Sequence, residues 1–121
     1  MTCIYSTTIN GDTFEVFGNY WETRNAWGHD AYLLRNGDEI GLSHVRYYNR
    51  TWESYQYQMA GIAAVNDAMK QAEAWAFEDY RNRTGKKRLS PEDKDRARGM
   101  SASCRAYAAI CKGLREQRRA F

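Results

Sequence analysis

His29 and His44 are the only two imidazole side chains in this 121-residue chain. They fall on neighbouring segments with strand character and have acidic residues near them in the sequence, so acid/base chemistry or a metal site is conceivable. No GxSxG, Walker or HExxH motif accompanies them. The cysteines, Cys3, Cys104 and Cys111, lack the CxxC spacing of a zinc site. The sequence therefore favours a binding protein without catalytic residues, metal or cofactor, and an enzyme that uses the two histidines is the alternative.

Aromatic residues next to arginines give the stronger signal. Trp75, Phe77 and Tyr80 directly precede the basic run Arg81–Arg88. An aromatic ring beside arginines is suited to a nucleotide, because the base stacks and the guanidinium binds the phosphate. Core packing is the alternative interpretation of Trp75 and Phe77. Since residues two apart on a helix point in nearly opposite directions, we expect at least one of these two rings to lie at an interface.

A second combination of the same kind lies earlier in the chain. Arg24 stands between Trp21 and Trp27, close to Gly28, in a segment that we predict to be a loop. Arg24, Trp27 and Gly28 are therefore the second-choice ligand site.

Charge is distributed unevenly along the chain, whose net charge is +3. Residues 1–60 contain 4 basic and 7 acidic residues, and residues 61–121 contain 14 basic and 8 acidic residues. A basic second half indicates a phosphate-bearing or acidic partner, and nucleic acid is not excluded. The alternative is a solvated basic face with favourable charge at helix C-termini.

Length and composition restrict the class of protein. A chain of 121 residues with 43% hydrophobic and 27% charged residues is typical of one globular domain. It is too short for a TIM barrel, a kinase or a full dinucleotide-binding fold. No apolar run reaches the roughly 20 residues of a membrane span, and the first residues do not resemble a signal peptide. We therefore expect a cytoplasmic protein.

Residues 1–50 have the pattern of an antiparallel β-meander. Four segments rich in strand-forming residues are separated by turn signals at Asn10-Gly11, around Asn25 and at Asn36-Gly37. Large aromatic residues on both faces of the second strand predict that both faces are covered, by helices or by a second subunit. The predicted strands are Ile4–Ile9, Thr13–Thr23, His29–Arg35 and Glu39–Tyr48.

Residues 51–121 have helical spacing. We expect Thr51 to cap a first helix that ends before Gly85, and Ser90-Pro91 to begin a second helix that runs to about Arg119. A first helix of about 43 Å is longer than such a globule is wide, so either Gly61 breaks it or it projects into a partner subunit. The fold class is α+β: one domain, 1–121, with a β-meander (1–50) followed by two long helices in an αα-hairpin (51–121).

Two stretches resemble small phage-encoded proteins of about this length, the first family of Thoeris anti-defence proteins. They are Asn19–Arg24 with Trp27–His29, and Tyr47–Glu53. Members of that family are sponges that bind the cyclic ADP-ribose signal of a bacterial defence system and withhold it from its effector. They assemble as dimers, and some form larger oligomers that also hold cyclic oligonucleotides. The resemblance covers roughly residues 8–60 and implies a homo-oligomeric phage protein of the host bacterial cytoplasm.

The resemblance also implies a pocket near the helix ends and the subunit interface, with an aromatic ring on the adenine and arginines on the pyrophosphate. On physical grounds, the candidates in this chain are Phe77, Arg81, Asn82, Arg105, Arg115 and Arg119. The end of the second helix returns toward Thr51, about 40 Å from the turn between the helices. Arg115 and Arg119 can therefore join the others only from a second, antiparallel subunit.

Because a nucleic-acid surface also needs arginines and aromatic rings, a second function stays open. The chain would then be a direct inhibitor, similar to an anti-CRISPR, that binds a nuclease effector or its nucleic acid through the basic half. In either binding function the histidines are expected to be dispensable.

Overall fold

The computed structural model describes the backbone of residues 1–47 and 53–119, and the side chains of residues 1–46 and 56–118. The strands pair antiparallel in sequence order and the helices follow, which confirms the predicted α+β class and the four-stranded meander. The predicted cap at Thr51 lies outside the described residues. The elements are β1 (Thr2–Ile9), β2 (Asp12–Glu22), β3 (Trp27–Arg35), β4 (Asp38–Tyr47), α1 (Glu53–Thr84), α2 (Pro91–Met100) and α3 (Ala102–Arg119).

Two of the predicted turns are two-residue hairpin loops. Asn10 and Gly11 have φ angles of 52° and 84°, and Asn36 and Gly37 have φ angles of 52° and 86°. Left-handed conformations at both central positions define a turn whose twist matches that of the strands. The Asn36 side chain also accepts a hydrogen bond from the Thr13 amide at 2.9 Å, which ties the second loop to the beginning of β2.

The helices pack on one face of the sheet, which we call the inner face. Phe14 and Val16 of β2 and Leu33 of β3 are fully buried there, together with Val65 of α1 and Leu114 of α3. The opposite, outer face carries Phe17, Tyr32 and Leu42, of which Leu42 is 45% exposed. Within the described part of the chain the helices thus cover one face, not both.

Helix α1 is continuous through Gly61 and has 32 residues, or about 48 Å. A Cβ atom at residue 61 would lie 2.9 Å from Ile4 and 3.1 Å from Val16. The glycine lets α1 approach the sheet closely, so the first of the two alternatives, an interruption at Gly61, is wrong. The other alternative, projection into a partner subunit, stays a prediction.

The second predicted helix is divided at Ser101. This residue is extended (φ −91°, ψ 118°), and its hydroxyl accepts a hydrogen bond from the Cys104 amide at 3.2 Å. Ser101 therefore ends α2 and caps α3, so the expectation of a single helix from Pro91 to about Arg119 is wrong. Together, α2 and α3 lie antiparallel to α1 and complete the hairpin.

The outer half of α1 and all of α2 form a two-helix arm, residues 73–100. Among the described elements, α2 contacts α1 and α3 but no strand. Ser90 and Asp93 form a capping box, which confirms the predicted start of this helix. Of the arm residues, Tyr80, Asp93 and Ala97 are buried. The arm therefore has a small interior of its own and a large exposed surface.

Candidate ligand site

The arm holds an aromatic ring surrounded by cations. The half-buried Phe77 ring has Lys94 Nζ 5.9 Å and Arg98 Cζ 5.3 Å from its centroid. The exposed Arg81 lies one helical turn beyond Phe77 on the same side of α1. We call Phe77, Arg81, Lys94 and Arg98 the arm cluster. It combines a flat apolar surface with cationic groups that favour an anion.

Two cations of the arm cluster are available to a ligand. The Arg98 guanidinium is neutralised by Glu73 at 3.0 Å and Asp95 at 2.9 Å. Neither Arg81 nor Lys94 has a carboxylate partner within residues 1–46 and 56–118. An anionic group beside Phe77 would therefore not have to displace an existing ion pair from them.

A buried carboxylate fixes the turn beside the cluster. Asp93 accepts hydrogen bonds from Tyr80 Oη at 3.1 Å, Lys86 Nζ at 3.0 Å and the Ser90 amide at 3.1 Å. The Lys86 ammonium and the Ser90 amide hold the pKa of the Asp93 carboxyl well below its usual range. This network ties Lys86 of the basic segment to the start of α2.

Asn82 does not share a side of α1 with Phe77. Five residues apart on an α-helix correspond to a rotation of about 140°. Asn82 is exposed, and its neighbour Arg83 pairs with Asp79 at 3.0 Å. The structure brings together Phe77 and Arg81 but leaves Asn82 on another side of the arm.

Arg115 of α3 lies away from the arm cluster. Arg105 and Arg115 are exposed and about 15 Å apart along the helix. Near the end of α3, Arg118 Nη1 lies 2.8 Å from Met59 Sδ, at the opposite end of α1 from the turn. One chain does not bring Arg115 to Phe77, and its contribution from a second subunit stays a prediction. The Arg119 side chain lies outside the described residues.

The second-choice residues do not converge on one pocket. Arg24 is exposed in the loop between β2 and β3. The Trp27 ring lies on the inner face, 6.4 Å from the rings of Tyr20 and His29. A Cβ atom on Gly28 would lie 2.6 Å from Trp21, so this glycine makes room for an indole on the outer face.

The two histidines lie on opposite faces of the sheet. His29 is 1% exposed on the inner face, with its ring 4.3 Å from that of Tyr57. His44 is exposed on the outer face, where it stacks on Trp21 at 5.1 Å and has Nδ1 2.5 Å from Asp30 Oδ1. The two imidazoles of one chain therefore do not approach each other, and the conceivable acid/base pair made of both is not formed.

The described residues contain no group of three or more His, Cys, Asp or Glu side chains arranged to hold a metal ion. No helix among them is long and apolar enough to cross a membrane.

Sequence reasoning missed a groove of about 490 Å³ bounded by the exposed edge of β4, by α1 and by the start of α3. Trp75 lines this groove and is 76% exposed, whereas Phe77 packs against α2. The described residues that line the groove include the acidic Glu39 and Asp67 and no lysine or arginine. Its walls come from three elements distant in sequence, so no local motif marks it.

Sequence reasoning also missed Lys94 and Arg98, although a signal for them was present. The turn between α1 and α2 is short. In two antiparallel helices joined by a short turn, residues that are equally far from the turn lie side by side. On that basis, residues near 97 face Phe77.

The comparisons with known proteins give no relative. No protein-family model matches the sequence, and no curated protein or solved structure matches it either.

Proposed function

We propose that this protein binds and sequesters a cyclic nucleotide signal of the cyclic ADP-ribose type without cleaving it, as a phage anti-defence protein in the cytoplasm of the bacterial host. The observation that carries the proposal is the arm cluster, in which Lys94 lies 5.9 Å from the centroid of the Phe77 ring and Arg81 lies one helical turn beyond it. Neither cation has a carboxylate partner among the described residues. A nucleotide has groups that complement both parts of the cluster, because its base can stack on the ring and its phosphates can bind the cations. The resemblance of residues 19–29 and 47–53 to Thoeris anti-defence proteins supports the same ligand class.

Sequestration requires affinity and no chemistry. A dissociation constant of about 1 nM corresponds to about −12 kcal/mol. Stacking contributes about 1–3 kcal/mol per base, and hydrogen bonds to charged groups contribute about 1.5–3 kcal/mol each. Because the arm cluster is open to solvent, it reaches such an affinity only when a second surface encloses the ligand. The proposed protein is therefore a homodimer or a larger homo-oligomer.

The first experiment measures binding and recovery of the ligand. A panel of cyclic nucleotides, including cyclic ADP-ribose and cyclic oligonucleotides, is screened by thermal shift, because a ligand at about 100 times its dissociation constant adds about 2.7 kcal/mol to stability. The complex is then heated, and the released nucleotide is identified by mass spectrometry. Intact nucleotide supports sequestration, whereas a cleaved product supports the enzyme alternative. A panel without any stabilising nucleotide overturns the proposal.

The second experiment locates the pocket on the arm. We expect the double variant Arg81→Ala, Lys94→Ala to lose most of the affinity for the nucleotide. The matched control is Arg83→Ala, which also removes an exposed arginine of the same helix, but one already paired with Asp79. Equal affinities of the two variants would place the pocket elsewhere.

The third experiment tests the contribution of α3. Arg105→Ala is one variant, and Arg115→Ala with Arg119→Ala is another, because a second subunit can present either end of α3 to the arm. A loss of affinity in a variant that keeps the fold and the oligomer identifies the end involved. If neither variant loses affinity, the arginines of α3 do not contribute to the pocket.

A specific observation also favours the nucleic-acid alternative, in which the chain inhibits a nuclease effector directly. Arg105, Lys112 and Arg115 are exposed along about 15 Å of α3 and have no carboxylate partners among the described residues. A stripe of this kind fits a phosphate backbone. Binding of DNA or RNA would then weaken steeply with salt, with a slope of about −0.7 to −0.9 per neutralised phosphate.

A further inference from the structure

We propose that the acidic groove beneath Trp75 binds the basic α1–α2 turn of a second copy of this chain. This inference deepens the proposed function, on whose homo-oligomer it rests, because it names the surfaces that join the subunits.

The groove has the chemistry of a cation site. Glu39 and Asp67 supply two carboxylates, and no lysine or arginine among residues 1–46 and 56–118 lines the groove. Asp67 Oδ2 accepts a hydrogen bond from the Leu42 amide at 3.2 Å, which fixes this carboxylate at the edge of β4. The exposed Trp75 indole lies in the same groove, and tryptophan is the aromatic side chain that binds a cation best. An ammonium or guanidinium group can therefore interact with both the carboxylates and the indole ring of the groove.

The tip of the arm offers the complementary group. Residues 81–88 include five basic residues and no acidic one. Arg83 and Lys86 are paired with carboxylates of their own chain. Arg81, Lys87 and Arg88 are exposed and have no such partner within the described residues. Lys87 and Arg88 lie in the turn itself, beyond the end of α1, and so project furthest from the domain.

The contact forms between two chains and not within one. Trp75 lies on α1 about 14 Å before the residue at which this helix ends and the turn begins, so a chain cannot fold its own turn into its own groove. In an antiparallel pair of arms, the turn of each copy lies at the groove of the other. Such a pair has two-fold symmetry and buries both turns in equivalent contacts.

Charge reversal provides the test, and the oligomer is measured without nucleotide by light scattering and native mass spectrometry. One variant is Glu39→Arg, and the other is Lys87→Glu with Arg88→Glu. The side chains changed are exposed and make no hydrogen bond or ion pair within residues 1–46 and 56–118. We expect each variant alone to dimerise at least about ten-fold more weakly than the wild type. Trp75→Ala is expected to weaken the dimer in the same direction, and Trp75→Phe less.

Mixing the two charge variants is the decisive step. In the mixed pair, a basic turn meets an unchanged acidic groove at one contact. At the other contact, an acidic turn meets a groove that has lost its net negative charge through Glu39→Arg. We therefore expect hetero-oligomers between two variants that are each predominantly monomeric. Glu116→Arg, a charge reversal on the exposed side of α3, is the control and should keep the wild-type oligomer.

Three results overturn the inference: a wild-type chain that is a 14.1 kDa monomer at micromolar concentration, charge variants that keep the wild-type oligomer, or variants that stay monomeric after mixing. A wild-type oligomer that behaves as expected but binds no nucleotide overturns the proposed function alone. In a further outcome, the monomeric variants keep their nucleotide binding while mixing restores the oligomer. That result supports the interface and shows that the second subunit does not contribute to the nucleotide pocket.

Discussion

The two ends of the helical hairpin are held together in different ways. Where α1 and α3 lie on the sheet, most of the buried side chains are apolar, and Val65, Ile110 and Leu114 are completely buried. In the arm, the main buried contact is polar, the hydrogen bond from Tyr80 to Asp93. The sheet-packed end therefore contributes most of the buried apolar core, whereas the arm exposes most of its side chains. Substitutions in the two regions should accordingly affect different measurements.

The largest expected effect is on the sheet-packed end. Leu114→Ala removes a fully buried side chain beside Gly61 and Val16 and leaves a cavity, so we expect the free energy of unfolding to fall by about 2–5 kcal/mol. Met100→Ala is the control, since Met100 is 58% exposed on the arm, and its cost should stay within about 0.5 kcal/mol. Urea denaturation measures both. Similar losses of unfolding free energy in the two variants would mean that the arm is as tightly packed as the sheet-packed end.

The next effect belongs to the arm and concerns binding. Phe77→Leu keeps an apolar side chain between Lys94 and Arg98 but removes the aromatic ring. If the ring stacks on a base, affinity for the nucleotide falls by about 1–3 kcal/mol while the melting temperature changes little. Titration calorimetry and thermal denaturation separate the two quantities. A lower melting temperature with unchanged affinity would make Phe77 a packing residue.

Turn chemistry made much of the fold predictable, because it acts locally. Asn10-Gly11 and Asn36-Gly37 need only their own left-handed conformations, and Ser90 needs only the next three residues for its cap. The break at Ser101 was not predicted, because serine is tolerated inside helices. What ends α2 is the extended conformation of Ser101 and its bond to Cys104, and neither follows from helical spacing.

The position of the histidines shows why the site was harder to predict. A two-residue loop at Asn36-Gly37 alone would place His29 directly opposite His44. The structure instead has a register shift between Leu33 and Leu34, after which His29 pairs with Val45. One extra residue in a strand moves every later side chain to the other face. No local sequence signal predicts that extra residue. Because of it, His29 and His44 lie on opposite faces and cannot form a pair.

A smaller, pH-dependent effect tests the polar network of the arm. The pKa of Asp93 is lowered in the folded state, chiefly by Lys86 and then by the Ser90 amide, so the ionised carboxylate stabilises the fold above its unfolded pKa near 4. Asp93→Asn should therefore lower the melting temperature at pH 7. The difference from the wild type should shrink as the pH falls below about 4. A difference that is constant with pH would mean that the charge of Asp93 contributes nothing.

The smallest effect is expected on the outer face of the sheet. His44 is 66% exposed in its stack on Trp21 and its contact with Asp30, so His44→Ala should change the free energy of unfolding by less than about 1 kcal/mol. Because sequestration transfers no proton, nucleotide affinity and recovery of intact nucleotide should be unchanged. His29 is measured separately, since alanine there opens a cavity beside Tyr57 and lowers stability for reasons unrelated to chemistry. A folded His44→Ala protein that no longer neutralises the signal would contradict sequestration, because the Asp30–His44 pair would then be acting on the ligand.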